Sequence, residues 1–285
     1  DLGKLKEAEL SIIKAIHLKP DFSKAYYSLS TLKYPSNNNL ILKNQLFSGN
    51  ILKNQLEEDK IDIYFARANI LHKEKNYKES SRYLEIANKL KLDIKPSKSE
   101  MLFDQSQVLL LESDKKIISS NEHSKFSQNI FIIGMPRSGS TLLESILSIN
   151  NNVNDLGETN ILEESFLEWK KSKQEINLTE LYEEKINNKT ELNITTNKWL
   201  YNYQYAGIIS SHILNSKIIH CFRNPLDNIL SIYRTNFTSG NEYSSSLVDC
   251  AKVYLDQEEI MKTYKQRYRS QIYELNYDLL VTNPN

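Results

Sequence analysis

The chain of 285 residues carries 36 basic and 36 acidic side chains and is 40% hydrophobic, which suits one large or two medium domains and supplies no overall charge to draw it to nucleic acid or an anionic membrane. Its two cysteines, Cys221 and Cys250, form neither a CxxC pair nor a disulfide framework, so packing is their expected role. No apolar run reaches the length of a membrane span and the start, DLGKLKEAEL, lacks the pattern of a signal peptide, so the expected location is cytoplasmic.

Residues 1–92 read as helical throughout. Gly3, Ala8, Ala15 and Pro20 fit the second helix of a tetratricopeptide unit, and Tyr26 with Leu29 the first helix of the next. Tyr64, Ala68 and Leu71, then Tyr77, Leu84, Ala87 and Leu90, repeat that two-helix pattern, with small residues where helices must approach closely. Between them ILKNQL occurs twice, at Ile41 and at Ile51, as a degenerate unit or as duplicated helical turns. Stacked units of this kind either bind a protein partner or substrate on a concave face or act as a spacer, and both readings stay open. A further helix is expected over 97–117, burying Met101, Leu102, Val108, Leu109 and Leu111. The polar run Ser119–Gln128 lacks periodicity and marks a linker, so the expected organisation is a helical repeat domain over 1–118, the linker over 119–128 and a second domain over 129–285. The chain starts partway through a repeat and reads as a fragment, truncated at its C-terminal end.

The second domain opens with NIFIIGMPRSGSTLLESILSIN, Asn129–Asn150. Ile130–Ile133 is a short β-branched run, Gly134–Gly139 a tight loop, and Leu142, Leu143, Ile146 and Leu147 an apolar stripe at helical spacing. A helix that begins near Gly139 turns its unpaired N–H groups and the positive end of its dipole toward the loop, which makes Ser138, Gly139, Ser140 and Thr141 a cradle for an anion. Gly134, Gly139 and Thr141 fit the spacing of a nucleotide-binding P-loop, but the lysine such a loop uses on triphosphates is Ser140 here. Arg137 stands inside the loop instead, where a guanidinium can clamp a tetrahedral oxyanion.

Val153–Leu156 reads as a second strand, ending at Gly157-Glu158-Thr159 before an amphipathic helix over Ile161–Trp169. Glu144, Glu163, Glu164 and Glu168 read as solvated helix charges. Ile194–Trp199 is a strand running into a loop with Asn197-Lys198 at its end, and a helix follows over Tyr203–Leu214. Lys217–Phe222 is an apolar strand with Arg223 at its C-terminal end, Pro225 opens a helix, and Ser231 lies eight residues after Arg223. Alternation puts His220 and Cys221 on opposite faces of that strand, which argues against a metal site. The loop Thr238–Ser246 is a candidate mobile lid, Leu247–Tyr268 a long helix, and Gln271–Asn276 a last strand before Tyr277.

PRSGST at Pro136–Thr141, together with Arg223 and Ser231, resembles the sulfotransferases that use 3′-phosphoadenosine 5′-phosphosulfate (PAPS), in particular those carrying tetratricopeptide repeats and the related tyrosylprotein sulfotransferases. The resemblance covers about residues 129–283, and more weakly 1–92 for the repeats. It implies an α/β fold with a P-loop-like, mainly parallel sheet and flanking helices, preceded by an all-α repeat domain. It further implies transfer of a sulfuryl group from PAPS, without a metal, to a hydroxyl acceptor: peptide tyrosine, glycan or small metabolite. In those terms Glu158 is the catalytic base, Arg137 and Lys198 stabilise the transferring group, Arg223 and Ser231 grip the 3′-phosphate, and Tyr277 lies near the nucleotide. Two positions depart from the family pattern. Leu200 stands where a proline is usual, and Thr235 where a third cation is usual, with Arg234 beside it. A P-loop kinase and a non-catalytic repeat scaffold are the alternatives.

Overall fold

The computed structural model describes residues 4–32, 40–113, 127–173, 175–187 and 194–283. Contacts divide them into two compact units, one holding the residues up to Lys98 together with Tyr233–Cys250, the other holding Ser99–Ile232 and the residues from Ala251 on.

The first unit is helical: α1 (Leu5–Leu18), α2 (Ser23–Thr31), α3 (Leu40–Phe47), α4 (Glu57–Lys73) and α5 (Tyr77–Ile94). Small residues set the distance between α4 and α5, since Ala68 and Ala87 are buried and the Ser80 hydroxyl donates to the Ala68 carbonyl at 2.8 Å. The two ILKNQL copies diverge. Ile41–Leu46 is helical with Ile41 74% exposed, whereas Ile51 is 7% exposed in a 3₁₀ turn that ends in extended Lys53 and left-handed Asn54. Duplicated helical turns are therefore excluded: the second copy has to lead into α4, and its burial pattern is inverted. Thr238–Ser246 is not a loose lid either, because it contains a 3₁₀ turn, Glu242–Ser245, with Tyr243, Ser244 and Ser245 buried. The same segment is tied down nearby, with Asn236 donating to Asp62 at 2.8 Å and Lys91 to the Phe237 carbonyl at 2.8 Å.

The second unit is mixed α/β. It runs α6 (Ser99–Glu112), β1 (Gln128–Gly134), α7 (Ser140–Leu147), β2 (Val153–Asp155), α8 (Ile161–Lys171), α9 (Leu178–Asn187), β3 (Ile194–Asn197), α10 (Ala206–His212), β4 (Ser216–Phe222), α11 (Pro225–Tyr233), α12 (Leu247–Arg267), β5 (Ile272–Asn276) and α13 (Tyr277–Thr282), with α11 and α12 crossing at their ends into the segment Tyr233–Cys250. The five strands form one parallel sheet in the order β2-β3-β1-β4-β5. Helices on both faces explain why β1 is apolar from Ile130 to Ile133: Phe131 and Ile133 enter the large core, while Ile132 packs with Leu143 and Cys221 on the other side. The buried side of α6 differs from expectation. Met101, Val108 and Leu111 are exposed, and Ser106 faces inward, donating to Asp256 at 2.8 Å and accepting from Gln204 at 3.0 Å. A polar seam, rather than an apolar stripe, orients that helix. Residues 119–126 of the expected linker lie outside the described residues. Among the described residues no helix is long and apolar enough to cross a membrane.

The chain leaves β1 toward the β3–β2 side and leaves β4 toward β5. Where neighbouring parallel strands send their connections in opposite directions, a crevice opens beyond their C-terminal ends, which is the usual ligand position in such sheets.

Candidate active site

All five strands end on a residue singled out by sequence: β1 runs into the loop of Arg137, β2 toward Glu158, β3 into Lys198, β4 into Arg223 and β5 into Tyr277. Because the sheet is parallel, these termini lie along one edge.

The loop after β1 holds three left-handed residues, Gly134, Arg137 and Gly139. Glycine is required at two of them. A Cβ at Gly134 would stand 2.3 Å from the Cys221 carbonyl oxygen on β4, and one at Gly139 would stand 2.1 Å from the Tyr277 ring. Arg137 has a Cβ and adopts φ 69° all the same, a conformation costing about 1–2 kcal/mol that surrounding contacts must hold. The contacts come from α11. Buried Asn228 donates to the Pro136 carbonyl at 3.0 Å, and one turn later the Ser231 hydroxyl accepts from Arg137 Nε at 3.2 Å. Inside the loop the Ser138 hydroxyl is buried without a hydrogen-bond partner.

At the tips of β4 and β5, Arg223 lies over the Tyr277 ring, 5.0 Å from its centroid, with Asp278 and Asp227 each 3.9 Å away. Asn276 ends β5 and also caps α13, accepting from the N–H groups of Asp278 and Leu279, and Asp278 in turn accepts from the Asn224 N–H at 2.8 Å. Asn224, which accepts from the N–H groups of Leu226 and Asp227, and Asn276 therefore start a helix two residues after β4 and immediately after β5, fixing Arg223 and Tyr277. Arg234 is not part of this edge. It belongs to the helical unit, 2.8 Å from His72.

On the other side of the loop Lys198 is almost wholly buried, and its Nζ is 3.1 Å from Glu158 Oε1, 3.1 Å from Glu144 Oε2 and 3.3 Å from Thr141 Oγ1. The proline missing at Leu200 is replaced by a hydrogen-bonded turn: Asn197 Oδ1 accepts from the Trp199 N–H at 3.1 Å and from Asn202 Nδ2 at 3.2 Å. Burial works against the Lys198 charge, but the carboxylates of Glu144 and Glu158 outweigh it and raise its pKa.

Glu144 is the residue that sequence reasoning misplaced. It is buried, not solvated. Burial above all, and then Asp155 as a partner for the protonated form, push its pKa up to about 7, against the opposing pull of Lys198. The inward face of α7 is Ser140, Leu143, Glu144 and Leu147, while Leu142 and Ile146 remain exposed. The i, i+3, i+4, i+7 spacing of those four residues was available in the sequence as the signal. Away from the edge, His220 and Cys221 do point to opposite faces: His220 meets Gln257, and burial holds its pKa at about 3, while burial pushes the Cys221 thiol up to about 12. No group of three or more His, Cys, Asp or Glu side chains suited to a metal ion occurs among the described residues.

Comparison with known proteins adds two findings. Residues 127–285, more than half of the chain, match the sulfotransferase domain family. An uncharacterized protein of Aquifex aeolicus is 27% identical over 248 residues, which make up 77% of this chain and 32% of that protein, so the chain spans about one third of the length of this curated relative.

Proposed function

The chain belongs to the sulfotransferase domain family, and from that premise we propose that it moves a sulfuryl group from PAPS to a hydroxyl on a peptide tyrosine, glycan or small metabolite. The observation that carries the reading is the pairing of neighbouring strands β1 and β4, whose tips bear Arg137 and Arg223 on either side of the crevice expected to take the donor.

In this reading the loop residues Ser138–Thr141 and the first turn of α7 hold the 5′-phosphosulfate, and the unpartnered Ser138 hydroxyl is one group free to do so. Arg223 and Ser231 hold the 3′-phosphate by charge-assisted hydrogen bonds, with Tyr277 beside Arg223. The acceptor oxygen attacks sulfur in line. As that bond forms, the bond from sulfur to the 5′-phosphate oxygen breaks, the acceptor proton passes to Glu158, and adenosine 3′,5′-bisphosphate leaves. Arg137 and Lys198 neutralise charge on the transferring group and on the leaving phosphate, the task that magnesium ions perform in kinases. Glu158 suits the base because it combines exposure with proximity to a cation, its side chain being 63% exposed and 3.1 Å from Lys198. The helical unit, read as tetratricopeptide repeats, would bind a protein partner or the acceptor.

Labelled-sulfate transfer by the full-length protein against peptide and glycan pools tests the reaction, and thermal stabilisation by adenosine 3′,5′-bisphosphate tests the donor site separately. Transfer from PAPS with stabilisation by the bisphosphate is expected. Tight magnesium–ATP binding with no response to the bisphosphate would defeat the proposal in favour of a kinase, and no response to either nucleotide would leave a scaffold.

A further inference from the structure

Lys198 is held by two carboxylates at the same distance and in opposite surroundings: Glu158 is open to solvent, while Glu144 is buried on α7, one turn beyond Thr141. A base must lose its negative charge when it takes the acceptor proton, and at that moment Glu158 stops attracting Lys198. A buried ammonium left without any counter-charge would be strongly disfavoured, or would swing away to find one. We propose that Glu144 is a positioning residue that tethers the Lys198 ammonium at the mouth of the anion loop while Glu158 is neutralised during transfer. This role rests on the sulfuryl-transfer reading above.

Glu144 cannot exchange roles with Glu158, because it is buried and its Oε2 is already held by the Lys198 ammonium, which also donates to Thr141. Its other oxygen, Oε1, is buried without a hydrogen-bond partner. The charged groups acting on this carboxyl are Lys198 from the end of β3 and Asp155 from the end of β2, while Glu158 and Thr141 share the Lys198 ammonium with it. Asp155 also accepts from the Gly157 N–H at 2.6 Å, so the carboxyl that supports protonated Glu144 shapes the turn carrying Glu158. Burial raises the Glu144 pKa to about 7, so its charge, and with it the tether, is lost as pH falls through that value.

The test compares the full-length wild type with Glu144→Gln and Glu144→Asp, first without ligand and then in turnover. In the ligand-free protein the Lys198 ε-methylene NMR signal, assigned by its loss in Lys198→Met, is expected to shift with a midpoint near pH 7 in wild type and to show no such midpoint in Glu144→Gln. In turnover with labelled PAPS and the acceptor pool, wild-type kcat should fall about tenfold per pH unit below that midpoint. Glu144→Gln should lose this acid limb and run about ten- to a hundredfold slower at pH ~8. Its affinity for adenosine 3′,5′-bisphosphate should change less than about threefold, and Glu144→Asp should recover part of the limb. A purely structural glutamate would lower the melting temperature and leave the limb in place, which overturns the proposal. A Lys198 signal that is the same in Glu144→Gln as in wild type at every pH overturns it whatever the assay reads. A wild type that shows the midpoint but transfers no sulfuryl group overturns the catalytic reading on which the role rests.

Discussion

Among the described residues each unit buries one lysine or arginine side chain deeply, and the two are satisfied in opposite ways. Arg67, in the helical unit, is 5% exposed and donates to the Leu46 and Ser48 carbonyls at 2.8 and 3.0 Å, with the rings of Phe47, Tyr64 and Tyr83 packed 5.4–5.7 Å from its guanidinium carbon. Lys198, in the α/β unit, is 6% exposed and rests on two carboxylates and a hydroxyl. Carbonyl dipoles and aromatic faces cannot take up a proton, so the arginine site has one charge state and serves packing. Carboxylates can, so the lysine site has several charge states lying close in energy. A buried cation with titratable neighbours is suited to chemistry, and one with neutral neighbours to structure.

The largest effect that could break this contrast is at Glu158. Glu158→Gln removes the base and should lower kcat by about 10²–10⁴-fold while leaving adenosine 3′,5′-bisphosphate binding and the melting temperature close to wild type. Near wild-type transfer by this variant would mean that the exposed carboxylate does no chemistry. Next comes the structural cation. Arg67→Met keeps most of the volume but strands the buried Leu46 carbonyl and the part-buried Ser48 carbonyl and loses three cation–ring contacts, so chemical denaturation should show a loss of about 2–4 kcal/mol. Transfer per folded molecule should be unchanged, and a selective loss of kcat would erase the distinction between the two sites.

A smaller effect follows from the titratable neighbour itself. The Glu144 pKa is raised from 4.5 to about 7 in the folded state, so folded protein binds more protons than unfolded protein between those values and stability must fall as pH rises through them. Other carboxylates pull the other way, so the quantity to follow is the unfolding free energy of wild type minus that of Glu144→Gln. It should decline across this window by up to about 3 kcal/mol and then stay flat, by the conversion of about 1.4 kcal/mol per pKa unit. A flat difference throughout would show that folding does not raise the Glu144 pKa.

Much of the edge of the sheet was legible in the sequence because its signals are local. Gly134 and Gly139 fix the loop, Pro225 starts α11, and β-branched runs mark β1 and β4. The sequence also placed Arg137, Lys198, Arg223 and Tyr277 correctly at strand ends. What escaped it depends on partners far along the chain. Nothing near Glu144 points to a lysine 54 residues later, and α6 turns Ser106 inward because Asp256 and Gln204 meet it there. Identical ILKNQL segments took different conformations for the same reason: the segment has little preference of its own, and burial of Leu42 and Leu46 in one copy and of Ile51 in the other decides.

The smallest effect probes whether the contrast extends beyond Lys198 to the other cation of the loop. Arg137 is held in its left-handed conformation by α11, through Asn228 on the Pro136 carbonyl and through Ser231 on Arg137 Nε. If Ser231 also contacts the donor 3′-phosphate, then Ser231→Ala removes one hydrogen bond to a charged group and weakens bisphosphate binding by about 1–2 kcal/mol, roughly five- to thirtyfold. If Ser231 serves only to position Arg137, the loss should vanish in an Arg137→Ala background, since the partner it positions is already gone. Isothermal titration of adenosine 3′,5′-bisphosphate against the four members of that cycle separates the two cases. Additive losses assign Ser231 to the donor, and complete coupling assigns it to the loop, in which case Arg137, like Lys198, depends on a neighbour that never touches the reacting atoms.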